Sequence, residues 1–380
     1  MIHTADIHLD ASYAAAGLPV RFGARRRQGL RDVFQQIVRR AGEWPADALL
    51  IVGDLFEHDR VSLDTLAFLR GEFASISHVP VFIAPGNHDP YMPDSPYATM
   101  AWPDNVVIFS SPKWTPHALD NAPLTVHGFA FDGPDISVNP FGALAVPQDG
   151  RLHVAVAHGS ENSFIPSGKT AYAPFRAEDA APDGLAYLAL GHYHGLRQLT
   201  GDFTTLIYYS GAPEGHSFGE TGIHYYLEAD IDERTALVTP VASSRAVYAA
   251  HSIDCAAFAS AQDLVNAVRA LPRDGGLPQV TRITLTGACE DSLRNEFNAA
   301  YDAVAAEYEF LDLVDATVPR EDIEALAREN TSLGAFVDAL TNELRDTADA
   351  RRREMLERAR AIGIAAYRGQ ALAVRGAERG

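Results

Sequence analysis

The sequence contains few cysteines and no long apolar run, and both shortages exclude classes of protein. Only Cys255 and Cys289 occur, which excludes a disulfide-stabilised secreted scaffold and fits a reducing cytoplasm. No apolar run approaches the ~18 residues that a membrane span requires. The opening MIHTADIHLD carries charged residues at once, so it predicts no signal peptide. We therefore expect a cytoplasmic protein with no membrane segment.

Basic charge is also scarce. Lys and Arg total 31 against 50 Asp and Glu, which gives a formal net charge of −19. A protein that binds nucleic acid through its overall charge is normally basic, so a polyanionic substrate would need bound metal ions and a local basic patch. The arginines of the first helical segment are the candidates for that patch, and a solvated helix face is the alternative interpretation. These residues are Arg25, Arg26, Arg27, Arg31, Arg39 and Arg40.

The length and composition predict more than one globular domain. The chain has 380 residues, of which 47% are hydrophobic and 21% charged, as in soluble globular proteins. In residues 1–245 the strand-like runs IHTAD, ALLIVGD and VPVFIAPG alternate with two amphipathic helices, and a series of short strands follows Pro103. Strand–helix alternation indicates a parallel βαβ core. We therefore predict an α/β fold in which two sheets form a β-sandwich flanked by helices.

Two further parts are predicted after residue 245. A helix capped by Ser260, the strand QVTRITLTG, a helix opened by Ser292 and the strand FLDLV predict a small α+β cap domain at 246–325. Residues 326–380 predict a helical tail with one apolar stripe, which packs either on the protein itself or on another chain. The stripe consists of Leu333, Phe336, Val337, Leu340 and Leu344.

Polar side chains follow five of the predicted strands, at the point where each strand ends. Ligands of such sheets bind beyond the carboxyl ends of the strands. Any one of these residues alone is ordinary at a strand end or turn, but imidazole, carboxylate and amide oxygen together make a ligand set for divalent metals. Seven side chains are more than a single ion of this kind binds. Two ions ~3.5–4 Å apart that share one carboxylate would use all seven. The seven are Asp6, His8, Asp54, Asn87, His158, His192 and His194.

The motifs DIH, GDLF, GNHD, AHGSE and GHYH, in this order, resemble the calcineurin-like metallophosphoesterases. The runs IHTADIHLD, GHYHG and YYSGAPEGHSFGETG resemble, more narrowly, the SbcD-type DNA-repair nucleases, bacterial relatives of the eukaryotic double-strand-break nuclease. The resemblance covers about residues 1–245. It implies two divalent ions, usually Mn²⁺, with Asp54 shared between them. One ion would then be held by Asp6, His8 and His194, and the other by Asn87, His158 and His192.

The resemblance also implies roles around the metals. A water activated by the two ions would attack phosphorus, and His88 would donate a proton to the leaving oxygen. Glu57, three residues after Asp54, would pair with His88, and a surface glutamate without that role is the alternative. Asp89 is expected to be a turn residue that hydrogen-bonds its own loop.

The implied function is cleavage of DNA as an exonuclease or endonuclease of double-strand-break repair. In the family the cap contacts DNA, the tail resembles an element that docks an SbcC-type SMC-like ATPase, and two copies form a dimer. A phosphatase or a cyclic-nucleotide or small-molecule phosphodiesterase with the same metals is the second interpretation, and an inactive scaffold is the third. Relatives carry a few residues before IHTAD, so we expect either a short first strand or a start upstream of Met1.

Overall fold

The computed structural model describes residues 1–13, 20–165, 170–232, 235–273 and 276–369. The strands are β1 (Ile2–Thr4), β2 (Leu49–Val52), β3 (Val81–Ala84), β4 (Val106–Ile108), β5 (Thr115–Ala118), β6 (Leu124–Gly128), β7 (Leu152–His158), β8 (Leu185–Gly191), β9 (Arg197–Leu199), β10 (Leu206–Tyr209), β11 (Tyr225–Ile231), β12 (Ala236–Ala242), β13 (Val247–Asp254), β14 (Gln279–Thr286), β15 (Ala288–Cys289), β16 (Phe310–Asp315) and β17 (Val318–Pro319). The helices are α1 (Val20–Glu43), α2 (Leu63–Ser75), α3 (Pro96–Thr99), α4 (Ala261–Arg269), α5 (Asp291–Asn295), α6 (Phe297–Val304), α7 (Ile323–Ala327), α8 (Ser332–Asp346) and α9 (Ala350–Tyr367).

Two six-stranded sheets carry the site. The first has the order β12-β11-β1-β2-β3-β4, in which β1 to β4 run parallel, β11 pairs antiparallel with β1, and β12 pairs antiparallel with β11. The second has the order β5-β6-β7-β8-β10-β9, with β6, β7, β8 and β10 parallel and the edge strands β5 and β9 antiparallel. Smaller sheets have the orders β13-β14-β16 and β15-β17. The predicted α/β fold with two mixed sheets flanked by helices is confirmed.

The two large sheets share a buried apolar layer. Leu50, Val52 and Phe82 of the first sheet belong to the same buried cluster as Val126 and Val154 of the second. Each such side chain contributes about 1.5–3 kcal/mol when it is fully buried. This layer holds the ends of β1, β2, β3, β7 and β8 in a fixed relation, and the candidate ligands lie at those ends.

The two predicted helices of the βαβ core are present. In α1 the apolar positions spaced by three and four residues are all buried, from Leu30 to Ala41. Helix α2 begins directly after Ser62, whose hydroxyl accepts a hydrogen bond from the backbone N–H of Thr65 at 3.1 Å. An N-cap of this kind contributes ~1 kcal/mol to helix stability.

Four of the six arginines that were candidates for a basic patch form ion pairs. Arg26 is buried and pairs with the buried Glu214. Arg31 contacts Asp64 at 2.6 Å, and Arg40 contacts Glu228 at 2.6 Å. Arg39 lies 3.9 Å from Glu43. These pairs engage much of the positive charge of the helix, while Arg25 stays exposed on its surface.

The chain divides into two compact units, of which the first comprises residues 1–251, 271–283 and 305–312 and the second 252–270, 284–304 and 313–380. The three-part division at 245 and 325 stays a prediction. The single helix predicted from Ser292 is wrong: Glu290 is the N-cap, and α5 ends at Asn295 before α6 begins at Phe297. None of the helices in the described ranges combines the length and apolar character that crossing a membrane requires.

The helical tail packs its apolar stripe against its own helices. Val337 and Leu344 of α8 are buried, and Val337 forms a cluster with Leu326 and with Ile364 of α9. The ring of Phe336 contacts that of Tyr367, with centroids 5.9 Å apart. Of the two alternatives for the stripe, the structure shows packing within the chain. The last part of the predicted tail, 370–380, lies outside the described residues.

Candidate metal centre

The carboxyl ends of five strands from two sheets meet at one point. Asp6 and His8 follow β1, Asp54 follows β2, and Asn87 follows β3. His158 is the last residue of β7, and His192 and His194 follow β8. Parallel neighbours end at the same edge of a sheet, so β1 to β3 and β7 to β8 present their following residues to a common crevice.

The backbone bends sharply at these positions. Of the six non-glycine residues with positive φ in the described ranges, four are predicted ligands: Asp6 (53°), His8 (49°), Asp54 (52°) and His192 (109°). Such conformations cost about 1–3 kcal/mol each and persist where function requires them. Gly86 permits a close approach, because a Cβ atom there would lie 2.4 Å from Oδ1 of Asp54.

Six of the seven predicted ligands converge around the carboxylate of Asp54. Its Oδ2 lies 3.7 Å from Nε2 of His8 and 3.3 Å from Nε2 of His158. On one side, Nε2 of His8 is 3.3 Å from Nε2 of His194, and ligand atoms of Asp6, His8 and His194 lie within 4.8 Å of one another. On the other side, Nε2 of His158 is 3.0 Å from Oδ1 of Asn87. Asp54 therefore lies between two groups of donors, as a shared ligand would.

His192 lies beside this centre. Its backbone N–H donates to both carboxylate oxygens of Asp6 at 3.0 Å, and its ring is 5.2 Å from that of His158. Burial lowers the pKa of His192 to about 3, so the imidazole is neutral and able to bind a metal. In the described ranges, none of the groups of histidines and carboxylates within 4.8 Å includes His192.

The second ring nitrogen of each central histidine has a fixed partner. Nδ1 of His8 is 2.8 Å from Oε1 of Glu57, and Nδ1 of His194 is 3.2 Å from Oε1 of Glu220. Nδ1 of His158 is 3.1 Å from the carbonyl oxygen of Val52. Metal-bound histidines almost always donate their other N–H to a carboxylate or a carbonyl. Since all three rings leave Nε2 facing the centre, the residues present fit a pair of divalent ions.

The charged side chains of the centre shift one another's pKa values. Burial raises the pKa of Asp6. Burial acts in the same direction on Asp54, but the positive charge of His158 and its hydrogen bond outweigh this effect, so the pKa of Asp54 is lowered. Burial disfavours the charged forms of His158 and His194, yet their carboxylate neighbours raise both pKa values to about 9. Asp54 and His158 therefore stabilise each other's charged forms.

We expect metal affinity to weaken as the pH falls. His158 and His194, with pKa values of about 9, are protonated at neutral pH and must lose these protons to bind a metal. Each displaced proton changes the apparent Kd about tenfold per pH unit, so the Kd for Mn²⁺ should fall about 10- to 100-fold from pH 6.5 to 7.5. Titration calorimetry in buffers of different ionisation enthalpy measures both the Kd and the protons released. A Kd that does not change with pH would contradict the assignment.

His88 lies at the exposed side of the centre. Its side chain is 45% exposed, and its Nδ1 is 3.1 Å from Oε2 of Glu57, so the predicted hydrogen bond is present. This bond raises the pKa of His88 against the opposing effect of partial burial. Burial would raise the pKa of Glu57, but hydrogen bonds from His8 and His88 lower it. Glu57 therefore hydrogen-bonds to two histidines, His8 and His88, whereas the sequence predicted a bond to His88 alone.

Asp89 anchors the loop that carries the shared carboxylate. As predicted, it hydrogen-bonds within its own loop, accepting from the backbone N–H of Gly86 at 2.7 Å. It also accepts from the backbone N–H groups of Asp54 at 2.9 Å and Leu55 at 2.8 Å. The hydroxyl of Tyr97 donates to it at 2.7 Å. Asp89 therefore connects the loops after β2 and β3.

Two residues of the site were missed by the sequence interpretation. Glu220 contacts Nδ1 of His194 and, with its other oxygen, Nδ1 of His216 at 3.2 Å. The ring of His216 lies 5.3 Å from that of His8, and its Nε2 is 3.2 Å from the carbonyl of Ile7. Both residues belong to the run EGHSFGE, so the motif contained them, but nothing in its spacing indicated that Glu220 reaches His194.

We expect Glu220→Gln to weaken metal binding about 10- to 100-fold, the usual effect of losing the outer partner of a metal-bound histidine. The amide can donate to Nδ1 or accept from it but no longer holds His194 by charge. Metal titration with Mn²⁺ measures the change, and Glu324→Gln, a 77% exposed glutamate of α7, is the control. Equal affinity in both variants would show that Glu220 does not orient the ligand.

Two comparisons with known proteins concern this part of the chain. The family model described as calcineurin-like phosphoesterase matches residues 1–196 of the 380. That range contains all seven predicted ligands and ends before Glu220. A protein of Bacillus subtilis (strain 168) named uncharacterized metallophosphoesterase YhaO is 29% identical over 233 residues, which make up 60% of this chain. The match spans 56% of that relative's own length.

Proposed function

The chain belongs to the calcineurin-like phosphoesterase family, and from this premise we propose that it is a two-metal phosphodiesterase that cleaves DNA as an exonuclease or endonuclease of double-strand-break repair. Membership of this family implies a metal-dependent hydrolase of phosphoesters. The observation that carries the proposal is the position of Asp54, with Oδ2 3.7 Å from Nε2 of His8 and 3.3 Å from Nε2 of His158. A carboxylate that lies between two groups of donors can be a ligand of two metal ions, and two such ions can bind one phosphate together.

The ligand assignment that we propose is the one implied by the family resemblance, and the distances between the donor atoms support it. Asp6, His8 and His194 would hold one ion, and His158 and Asn87 the other, with Asp54 shared. His192 would complete the second set. Imidazole with carboxylate and amide oxygen suits Mn²⁺ among the borderline-hard ions. When bound, the two ions lower the pKa of a water and polarise the phosphoryl oxygens.

The leaving oxygen takes its proton from His88. Nδ1 of His88 donates to Glu57, which leaves the Nε2 proton for the substrate. The raised pKa keeps the ring protonated near neutral pH. Because the side chain is 45% exposed, it can reach a phosphodiester of a long polymer bound at the surface.

A small-molecule phosphodiesterase or phosphatase is the second candidate, and one observation favours it. Three arginines of α1, Arg26, Arg31 and Arg40, are paired with Glu214, Asp64 and Glu228, and the formal net charge is −19. An inactive scaffold is disfavoured, because six predicted ligands converge and the seventh lies beside them.

Cleavage assays separate these candidates. The purified protein, with Mn²⁺ and with chelator, is incubated with labelled duplex DNA, single-stranded DNA and bis-p-nitrophenyl phosphate. The proposal predicts Mn²⁺-dependent cleavage of DNA and of the chromogenic diester. Cleavage of the chromogenic diester alone would favour the small-molecule enzyme, and cleavage of neither would favour the scaffold.

We also propose that the cap contacts DNA, that two copies associate, and that the tail docks an SbcC-type SMC-like ATPase.

Helix α9 offers the better docking face of the tail, because Val337 and Leu344 of α8 are buried in the tail itself. On α9, Met355 is 59% exposed and Ile362 45% exposed. A double substitution of Met355→Glu and Ile362→Glu should abolish co-purification with the ATPase of the same organism. Arg328→Glu, on the exposed part of the tail, is the control, and equal recovery of both variants would contradict this face.

A further inference from the structure

A buried histidine of β1 joins the two large sheets shortly before the first candidate ligand. The ring of His3 is fully buried. Its Nδ1 is 2.8 Å from the hydroxyl of Tyr187, and its Nε2 is 3.2 Å from the carbonyl oxygen of Leu190, both in β8. We infer that His3 is a positioning residue, which holds β8 against β1 so that donors from both strands reach the same ion. This inference rests on the two-metal centre of the proposed function.

The hydrogen bonds of His3 define the state of its ring. A carbonyl oxygen only accepts, so Nε2 donates to Leu190 and Nδ1 accepts from the hydroxyl of Tyr187. Burial lowers the pKa of His3 to about 3, and the ring is therefore neutral. Burying a polar group between two sheets costs free energy unless its atoms are hydrogen-bonded. Both nitrogens stay paired only while β8 keeps its place beside β1.

The same two strands are joined again at the metal centre. The backbone N–H of His192, which follows β8, donates to both carboxylate oxygens of Asp6 at 3.0 Å. Between these two links the sheets approach closely at Gly191, where a Cβ atom would overlap the carbonyl oxygen of Val52. The segment that separates the sheets here is therefore linked at one end by His3 and at the other by Asp6.

The donors proposed for one ion come from both strands. Asp6 and His8 follow β1, whereas His194 follows β8, and Nε2 of His8 is 3.3 Å from Nε2 of His194. A shift of β8 relative to β1 changes this distance directly. The second ion has a link of its own between the sheets, because Nδ1 of His158 in β7 is 3.1 Å from the carbonyl oxygen of Val52 in β2. Loss of the β1–β8 link should therefore weaken the binding of the first ion more than that of the second.

Binding of Mn²⁺ to His3→Leu tests the inference without turnover. Leucine is apolar and makes neither hydrogen bond. We expect the affinity for one ion to fall about 10- to 100-fold, as when an outer partner of a metal-bound histidine is lost, while the other ion keeps its wild-type affinity. At a free Mn²⁺ concentration that fills both sites of the wild type, the paramagnetic resonance spectrum of the variant should be that of an isolated ion. His3→Gln should restore the coupled pair, because its amide can donate to Leu190 and accept from Tyr187.

The matched control is His153→Leu. His153 is also buried and has both ring nitrogens paired, Nδ1 at 2.9 Å from Nε2 of His127 and Nε2 at 2.9 Å from Oδ1 of Asp149. It lies near the start of β7, at the opposite end of that strand from the centre. Its loss should lower the unfolding temperature and leave both ions bound. If His3→Leu does not fold, Tyr187→Phe removes one hydrogen bond alone, and the affinity for the same ion should fall about 2- to 10-fold.

The outcomes separate the positioning role from the metal centre itself. Wild-type affinity for both ions in His3→Leu, or in Tyr187→Phe where His3→Leu does not fold, would overturn the role of His3 and leave the two-metal proposal intact. Equal weakening in His153→Leu would overturn it too, because the effect would then be one of stability alone. A wild-type protein that binds fewer than two Mn²⁺ ions would contradict the proposed function and this inference with it.

Discussion

We expect Asp54→Asn to lower kcat for phosphodiester hydrolysis by at least about 10³-fold. Removing a ligand that two ions share should have a larger effect than the 10- to 100-fold loss of activity seen when a hydrogen-bond partner of a metal-bound histidine is removed. Oδ2 of Asp54 lies between Nε2 of His8 and Nε2 of His158, and Oδ1 accepts from the N–H of His88 at 2.9 Å. Asparagine has one oxygen and no charge for these contacts. Hydrolysis of bis-p-nitrophenyl phosphate and metal content per chain measure the effect.

The matched control is Asp104→Asn, which makes the same chemical change at an exposed position. It should leave both readouts at the wild-type level. Asparagine has nearly the same shape as aspartate, so the fold of Asp54→Asn should persist, and thermal unfolding in chelator tests this. If Asp54→Asn binds two ions with wild-type affinity, Asp54 is not shared between them.

His88→Asn should lower kcat on DNA about 10²- to 10⁴-fold, the contribution of a general acid, with metal content unchanged. The effect should be much smaller on bis-p-nitrophenyl phosphate, because p-nitrophenolate leaves without a proton. The side chain is 45% exposed, so its loss should not disturb the fold. Equal losses on both substrates would assign His88 to phosphate binding instead of proton transfer.

The pH profile distinguishes the role of Glu57. Its hydrogen bond raises the pKa of His88, so the protonated, active form persists above the usual His range and activity falls on the alkaline side. Glu57→Gln removes the charge, lowers the pKa of His88, and should move that alkaline limb to lower pH. Because Glu57 also contacts His8, metal affinity should fall as well. An unchanged profile and turnover would show that the pairing has no catalytic role.

The βαβ core was predictable because its signals are local. The apolar period of α1 and the cap at Ser62 lie within single segments, and each encodes its own structure. The edge strands β5, β9 and β12 carry no clear local signal, because Thr115–Ala118 is wholly exposed and the other two have mostly exposed residues. Exposed edge strands lack the alternation of buried and polar residues that marks a strand.

The seven candidate ligands could be selected from the sequence because each ends or follows a buried strand, and six of them lie together in the structure. The partners that orient them could not. Glu220 meets His194 only through tertiary folding, and Arg26 pairs with Glu214 although 188 residues separate them. Spacing along the chain carries no information about such pairs. The charge run of α1 therefore could not show that Arg26, Arg31 and Arg40 are paired with carboxylates distant in the sequence.

A crystal soaked in Mn²⁺ tests the central claim most directly, through anomalous scattering. We expect two peaks about 3.5–4 Å apart, one contacting Asp6, His8 and His194, the other contacting Asn87 and His158, with Asp54 bound to both. A single peak, or none among these side chains, would contradict it.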